Sequence, residues 1–471
     1  MTTAKKLKKS IEFTEGKIFS KIIVFILPII ATSFLQVFYN VADMMIVGLS
    51  PDQDAVGAVG ITSPIVSMVL QLITGASIGA NVVISKNLGA KNKDEVQKAV
   101  HTSFAFMLIL GVCSLVLGLI LARPILKLMG GRENFLDLAV RYVSVYFLGA
   151  PFSAITNWGT VVLRSKGNNK TALKILSVSG LFNVAMNFLF VLVFNMSVEG
   201  VAIATMLSNV LSAILITVCL LREDSEIKFY FKKIRIYGDT LKRILRIGIP
   251  AALEGMVISL SDMMVQSALI RVNNLMSPID SAYQPVIKGS VAHSSLEGFI
   301  SPITGATASA ITVFVAQNCG ANKFDRVKSV MNIGYAIMFV ASVGAVAILT
   351  LLRAPLLSLY GVVDGPVGSL EHIAYQTAMT KIKVVWFPFF IMTFSTVGSA
   401  TLRGMGYSLN TTIINLSGVV AFRIIWINTI FNIYPTLEIL LLCYPLSSLL
   451  MAVSFFICAR VRLKKIKRMT A

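Results

Sequence analysis

The chain is 471 residues long, 56% hydrophobic and 14% charged, with a mean hydropathy of +0.79 and a formal net charge of +20. No water-soluble domain of this length carries that balance, so a polytopic membrane protein is predicted and a soluble enzyme is excluded. The surplus of Lys and Arg reads as loops facing an anionic lipid leaflet; no recognition motif accompanies it, and nucleic acid is not an expected partner.

In chain order, a basic N-terminal segment (1–21) leads into apolar runs at 22–47, 56–84, 100–122, 138–162, 172–194 and 197–221. A polar stretch, 222–246, separates these from runs at 247–270, 290–316, 330–352, 384–402, 411–431 and 436–460. Each run approaches or exceeds the roughly 20 residues that cross a bilayer as a helix, and none alternates as barrel strands do. The predicted fold is therefore all-α and polytopic, with twelve transmembrane helices. The first run lacks a small-residue cleavage site and is expected to stay in place as an anchor. With the N-terminus inside, the inner segments hold about four times as many basic residues as the outer ones. Both termini are accordingly expected in the cytoplasm of a plasma-membrane protein, with membrane lipid around it and a monomer as its state.

Helix breakers punctuate the runs. Pro28 and Pro250 read as helix starts, Pro64, Pro151, Pro388 and Pro445 as interruptions, and 271–292, with Pro278 and Pro285, as a long outer loop. Gly75 and Gly79 form a GxxxG packing face. Five cysteines are scattered without a CxxC pair, and His101, His293 and His372 stand apart at expected helix ends or loops, so no disulfide or metal cluster is predicted. Neither HExxH nor a P-loop is present; without a nucleotide site, uphill work would draw on an ion gradient.

The second half repeats the first with a period of about 230 residues. Asn87, Gly89, Ala90, Asp94 and Val96 meet Asn318, Gly320, Ala321, Asp325 and Val327 at one offset, and RPILKLMG around Pro124 meets APLLSLYG around Pro355. LRSKG at Arg164 pairs with LRGMG at Arg403, GAPF at Pro151 with WFPF at Pro388, and ADMM at Asp43 with SDMM at Asp262. Six helices separate the copies, an even number, so the halves are predicted to be parallel, pseudo-symmetric six-helix bundles at 22–221 and 247–460. The stretch 222–246 is their cytoplasmic linker and 461–471 a basic tail. Rocking of one half against the other would give alternating access.

A carboxylate inside a membrane span is costly and marks an ion or substrate path. Asp43 is such a group, with Gln36, Tyr39 and Asn40 at helical spacing before it. Asn183 and Asn187 share a face of the fifth helix, and Thr205 lies on the sixth. If these faces converge, they offer a hard-oxygen site for Na+, or a proton site centred on Asp43. In the second half Glu254, Asp262 and Gln266 are cavity candidates on the seventh helix.

These features resemble the multidrug and toxic compound extrusion (MATE) antiporters. The TEG-x-I start at Thr14, the P-x7-Q…D-x4-G pattern from Pro28 to Gly48, NLGA and NCGA, and the two LR-x2-G motifs carry the resemblance across about residues 14–460. It implies a V-shaped pair of bundles that exports amphipathic, often cationic, small molecules in exchange for H+ or Na+, without a cofactor and without enzymatic chemistry. It also implies a coupling role for Asp43, Asn183 and Thr205. Where the family pattern has a second acid on the fifth helix this chain has Asn187, which tilts the expectation toward H+. The alternative is a lipid or lipid-linked oligosaccharide flippase, whose cavity would be lined by basic groups, with Arg141 and Arg423 as the intramembrane candidates.

Overall fold

A computed structural model describes residues 11–49, 55–128, 133–276 and 284–470. Its first half holds α1 (Ile18–Gly48), α2 (Ala55–Gly89), α3 (Lys93–Leu128), α4 (Glu133–Leu148), α5 (Ala150–Ser165), α6 (Asn169–Phe188) and α7 (Val198–Leu221). Then come α8 (Gly238–Met276), α9 (Pro285–Glu297), α10 (Ser301–Gly320), α11 (Phe324–Leu351), α12 (Arg353–Ser358), α13 (Leu370–Lys381) and α14 (Phe389–Gly404). The chain closes with α15 (Ser408–Asn415), α16 (Phe422–Asn428), α17 (Ile430–Ile433) and α18 (Leu437–Thr470). Among the described residues nine helices are long and apolar enough to span a membrane, and three bent pairs raise the number to twelve. The fold is the all-helical one that the sequence predicts.

The bends have local causes. Leu136–Leu148 meets Ala150–Ser165 at 45°, where Pro151 opens the second helix, and Leu370–Trp386 meets Phe389–Gly404 at 48°, where Pro388 has no N–H to offer. Pro285–Glu297 meets Ser301–Gly320 at 43° after Gly298. The other prolines behave differently from the expectation: Pro28, Pro64, Pro250 and Pro445 lie inside continuous helices. The first and seventh spans begin at Ile18 and Gly238, well before Pro28 and Pro250. The expected outer loop at 271–292 is also largely helical, since α8 runs to Met276 and α9 starts at Pro285; Pro278 lies outside the described residues.

The repeat is legible in backbone detail. After NLGA, Lys91 takes φ 56° and the N–H of Asn92 reaches the Asn87 carbonyl at 3.1 Å; after NCGA, Asn322 takes φ 56° and the N–H of Lys323 reaches Asn318 at 2.8 Å. Both are left-handed helix ends with the long-range bond of a Schellman cap. The LR-x2-G motifs end alike, with Gly167 at φ 82° and Gly406 at 89°.

Two compact units emerge: one takes the chain to Ala252 together with Ala316–Lys323, the other Leu253–Val315 and Phe324 onward. In unit 1 the small residues allow close helix approach. A Cβ on Gly89 would lie 1.9 Å from the Gln317 carbonyl oxygen, and one on Gly320 1.9 Å from that of Lys86, so the two copies of the motif pack reciprocally. The 222–246 stretch is tied into this unit: Ile227 and Phe229 are fully buried, and Phe229 packs on Trp158 and Phe104. Gly75–Gly79 also spells Gly-x-Ser-x-Gly, but Ser77 is buried in the middle of α2 with its hydroxyl donated to the Ile73 carbonyl, not raised on a strand-to-helix turn.

Candidate functional site

Each unit carries its own polar cluster. In unit 1, α1 and α6 lie side by side because Gly180 leaves room for the Tyr39 ring, whose hydroxyl donates to the Ser177 carbonyl at 3.3 Å. One turn beyond Tyr39, Asp43 accepts a hydrogen bond from the Asn187 amide. The same Asn187 nitrogen lies 3.4 Å from Asn183 Oδ1, and Asn183 donates to Thr205 Oγ1 of α7 at 3.5 Å. The expected quartet Asp43, Asn183, Asn187 and Thr205 is thus one connected chain. Asn187 is fully buried, yet its Oδ1 has no hydrogen-bond partner among the described residues, an unusual state for a buried carbonyl oxygen. Tyr142 and Tyr146 of α4, stacked at 6.1 Å, stand within electrostatic reach of Asp43.

The other α1 candidates do not join this chain. Gln36 and Asn40 are exposed, and Asn40 borders a groove of ≈ 520 Å³ with Val37, Val41, Met44 and Met45. Gln36 and Asn40 stand seven and three residues before Asp43, within about 60° of it around a helix of 3.6 residues per turn, so they share its side of α1; exposure separates them from Asp43, which is half-buried.

In unit 2 a cavity of ≈ 630 Å³ gathers Glu254, Asp262 and Gln266, as the spacing on the seventh helix suggests, with Glu297, Lys381, Arg403, Asn415 and Arg423. Glu254 is 5% exposed and fully engaged: it pairs with Arg403, accepts from Asn415 Nδ2 at 2.6 Å and from Thr411 at 3.4 Å. Asp262 pairs with Arg423 at 3.0 Å, and the Arg423 guanidinium lies over the Tyr444 ring at 4.4 Å. Lys381, which lies outside the apolar runs, is 5% exposed and donates to Ser290 and Ser294 of α9. Of the two expected intramembrane arginines, Arg423 lines the cavity; Arg141 lies in unit 1, 66% exposed and paired with Glu199 at 3.3 Å.

A shared backbone device marks both clusters. Leu189–Val193, Ile382–Trp386 and Leu416–Ala421 are π-helical turns, beginning two residues after Asn187, directly after Lys381 and directly after Asn415. Such turns widen the helix by one residue and recur at functional positions. Of the histidines, His101 and His293 are buried in packing positions, His293 against the Trp386 ring at 4.8 Å, and His372 is bonded to Asp364. Among the described residues no three of His, Cys, Asp or Glu gather as a metal site.

The pattern of the MatE family matches residues 28–189 and 289–429, covering both copies of the repeat. The chain belongs to the MatE family. Among its relatives, the "Probable multidrug resistance protein YoeA" of Bacillus subtilis (strain 168) is 27% identical over 429 residues, 89% of this chain and 87% of that protein. The "Multidrug export protein MepA" of Staphylococcus aureus (strain bovine RF122 / ET3-1) is 24% identical over 262 residues, 56% of this chain and 58% of that protein. A solved MOP superfamily transporter from Pyrococcus furiosus Vc1 (DSM3638) has the same fold, with TM-score 0.88 and 20% identity over 98% of this chain and 100% of that one. An "Outward-facing conformation of a multidrug resistance MATE family transporter" gives TM-score 0.87 at 20% identity with the same coverage. MatE proteins are transporters, and this chain is a multi-pass membrane transporter of small molecules, not an enzyme.

Within this MatE chain the sequence does not single out Lys381, Glu297, Arg403 and Asn415 as cavity residues. Lys381 and Arg403 were assigned to loops by the edges of the apolar runs, and the signal that could have recovered them is the proline and π-turn breakage beside them.

Proposed function

We propose that the chain is a secondary active multidrug exporter of the plasma membrane, with both termini in the cytoplasm, working as a monomer among membrane lipids. It moves amphipathic, mostly cationic compounds out of the cell by alternating access, in exchange for one ion handled at Asp43. The names of YoeA and MepA support multidrug efflux, and the duplicated halves support the rocking motion.

The observation that carries the coupling is the Asp43–Asn187 pair with its orphaned, buried Asn187 Oδ1. An amide has donors on one arm and an acceptor on the other. As drawn, Asn187 donates to an ionised Asp43; turned over, its Oδ1 would accept from the O–H of a protonated Asp43. One side chain therefore suits both charge states, as a proton carrier needs. Na+ would call on the oxygens of Asp43, Asn183, Asn187 and Thr205, but those of Asn183 and Thr205 already accept amide hydrogens, and a single carboxylate supplies one formal charge. The reading is accordingly H+ exchange.

The test is uptake of a fluorescent cationic dye into everted vesicles, driven in turn by a proton gradient and by a Na+ gradient. Accumulation on the proton gradient, lost in Asp43→Asn, is the expected result. Accumulation on Na+ alone would overturn the proton assignment. Failure on both would favour the second reading, a lipid or lipid-linked oligosaccharide flippase, for which the observation is Arg423 in a cavity shared with Lys381 and Arg403.

A further inference from the structure

The unit 2 cavity contains three acids, Glu254, Asp262 and Glu297, and three bases, Lys381, Arg403 and Arg423. Two pairs are closed: Arg403 with Glu254, and Arg423 with Asp262. The remaining two groups are not joined. Among the described residues no ion pair within 4.0 Å involves Lys381 or Glu297. A cation and an anion thus line one cavity within electrostatic reach of each other but without a direct ion pair.

The surroundings of Lys381 give this gap a direction. Its ammonium donates to Ser290 Oγ at 3.0 Å, Ser290 O at 3.3 Å and Ser294 Oγ at 3.1 Å, which uses its three hydrogens. Ser294 also lines the cavity, and since its oxygen accepts from Lys381 its own hydrogen is left to donate. A hydroxyl polarised by an adjacent ammonium is a strong donor to an anionic group. Ser290, Ser294 and Glu297 follow at i, i+4 and i+7 on α9, one face of one helix. The anion-binding hydroxyl and the Glu297 carboxylate are therefore neighbours about one turn apart.

Charge balance selects the occupant. A simple cation at Glu297 would draw that carboxylate's field away from Lys381, and a simple anion at Ser294 would face the Glu297 carboxylate about one turn away, so a lone charge of either sign is opposed by one of the two groups. A ligand carrying both signs meets both. We propose that this cavity binds a zwitterionic amphiphile, its anionic group accepting from Ser294 beside Lys381 and its cationic group facing Glu297. The proposal rests on the exporter reading for its substrate class alone.

The experiment is an equilibrium titration with no gradient imposed, so failure of ion coupling does not affect it. Full-length protein in phosphatidylglycerol nanodiscs is titrated, by fluorescence anisotropy, with rhodamine 110, which carries a free carboxylate beside its cationic dye, and with rhodamine 123, its methyl ester. The free carboxylate is expected to bind about tenfold tighter, the worth of one charge-assisted hydrogen bond. Lys381→Gln and Ser294→Ala should each erase that preference, and Glu297→Gln should weaken both dyes. Equal or tighter binding of the ester by the unmodified protein overturns the proposal without reference to any variant, and so does a preference that survives both Lys381→Gln and Ser294→Ala in monodisperse protein. Repeating the titration with phosphatidylethanolamine in the discs distinguishes the sources: displacement of rhodamine 110 assigns the site to a zwitterionic lipid headgroup, and undiminished binding assigns it to a free solute.

Discussion

Asp43 and Asp262 lie in similar tetrapeptides, ADMM and SDMM, on the first and seventh spans, and are held in opposite ways. The Asp43 carboxylate accepts from a neutral amide, with two further neutral side chains behind it; the Asp262 carboxylate is paired with the Arg423 guanidinium at 3.0 Å. An acid held by amides can take up a proton without stranding a counter-charge. An acid held by arginine cannot, because protonation would leave the guanidinium unpaired in a cavity. Duplication supplied two similar scaffolds, and the partner of one carboxylate separates a group suited to carrying an ion from a group suited to shaping a binding surface.

The largest effect that would break this comparison lies in the two Asp→Asn variants. Asp43→Asn should bring gradient-driven dye uptake down to the level of empty vesicles. Asp262→Asn should raise the apparent KM and leave the dependence on the gradient in place. Equal loss of gradient response in both, measured as initial uptake rate against imposed ΔpH, would mean that the two acids share the coupling and that their different partners do not decide it.

The next effect tests the buried pair of unit 2 against the amide chain of unit 1. Arg403→Met strands the Glu254 carboxylate, and a buried ion pair broken on one side costs about 3–5 kcal/mol. Asn183→Ala removes two long, neutral hydrogen bonds and is expected to cost about 1–2 kcal/mol. Thermal midpoints in nanodiscs should fall in that order, and adding Glu254→Gln to Arg403→Met should restore most of the loss. A double variant no more stable than Arg403→Met would show that Arg403 contributes by packing rather than by charge.

The pattern of what the sequence revealed follows the physics of each feature. Twelve spans were legible because a lipid-facing helix must be apolar along its whole length, and the repeat was legible because helix ends such as Asn87–Asn92 and Asn318–Lys323 need the same small and left-handed residues in both copies. The Asp43 chain was legible because a carboxylate in such a run has few explanations. The unit 2 cavity was only half legible. Glu254 and Asp262 stood out by position, but Lys381 lies beside Lys383 and close to a proline, where hydropathy alone draws a loop. Burial of a lysine by two serines from another helix is a tertiary fact, absent from any window of the sequence. Likewise Gln36 and Asn40 share polarity and a helical face with Asp43 but not its burial, since helical spacing names neighbours without saying how deeply each one sits.

The smallest effect contrasts a half-exposed ion pair with the buried one. Lys166, just past α5, reaches Glu226 at 2.6 Å, with the two side chains 27% and 30% exposed. The Lys166 hydrogen bond is the largest of the influences that hold the Glu226 carboxyl below its ordinary value. A carboxylate depressed by folding adds stability above its unfolded pKa of ~4.3 and loses it as the pH falls through the lower folded value. Glu226→Gln should therefore lower stability by at most about 1 kcal/mol at neutral pH, and the two proteins should converge below about pH 4 as the native carboxylate is protonated. The Gln97 amide, bonded to the backbone carbonyls of Glu226 and Lys228 at 2.7 and 2.9 Å, is untouched by the substitution and keeps the segment in place. Thermal midpoints of both proteins from pH 7 down to about pH 3 measure the gap. A gap that widens on acidification would place the stabilisation elsewhere than in the Lys166 pair, whereas one that closes assigns it to that pair.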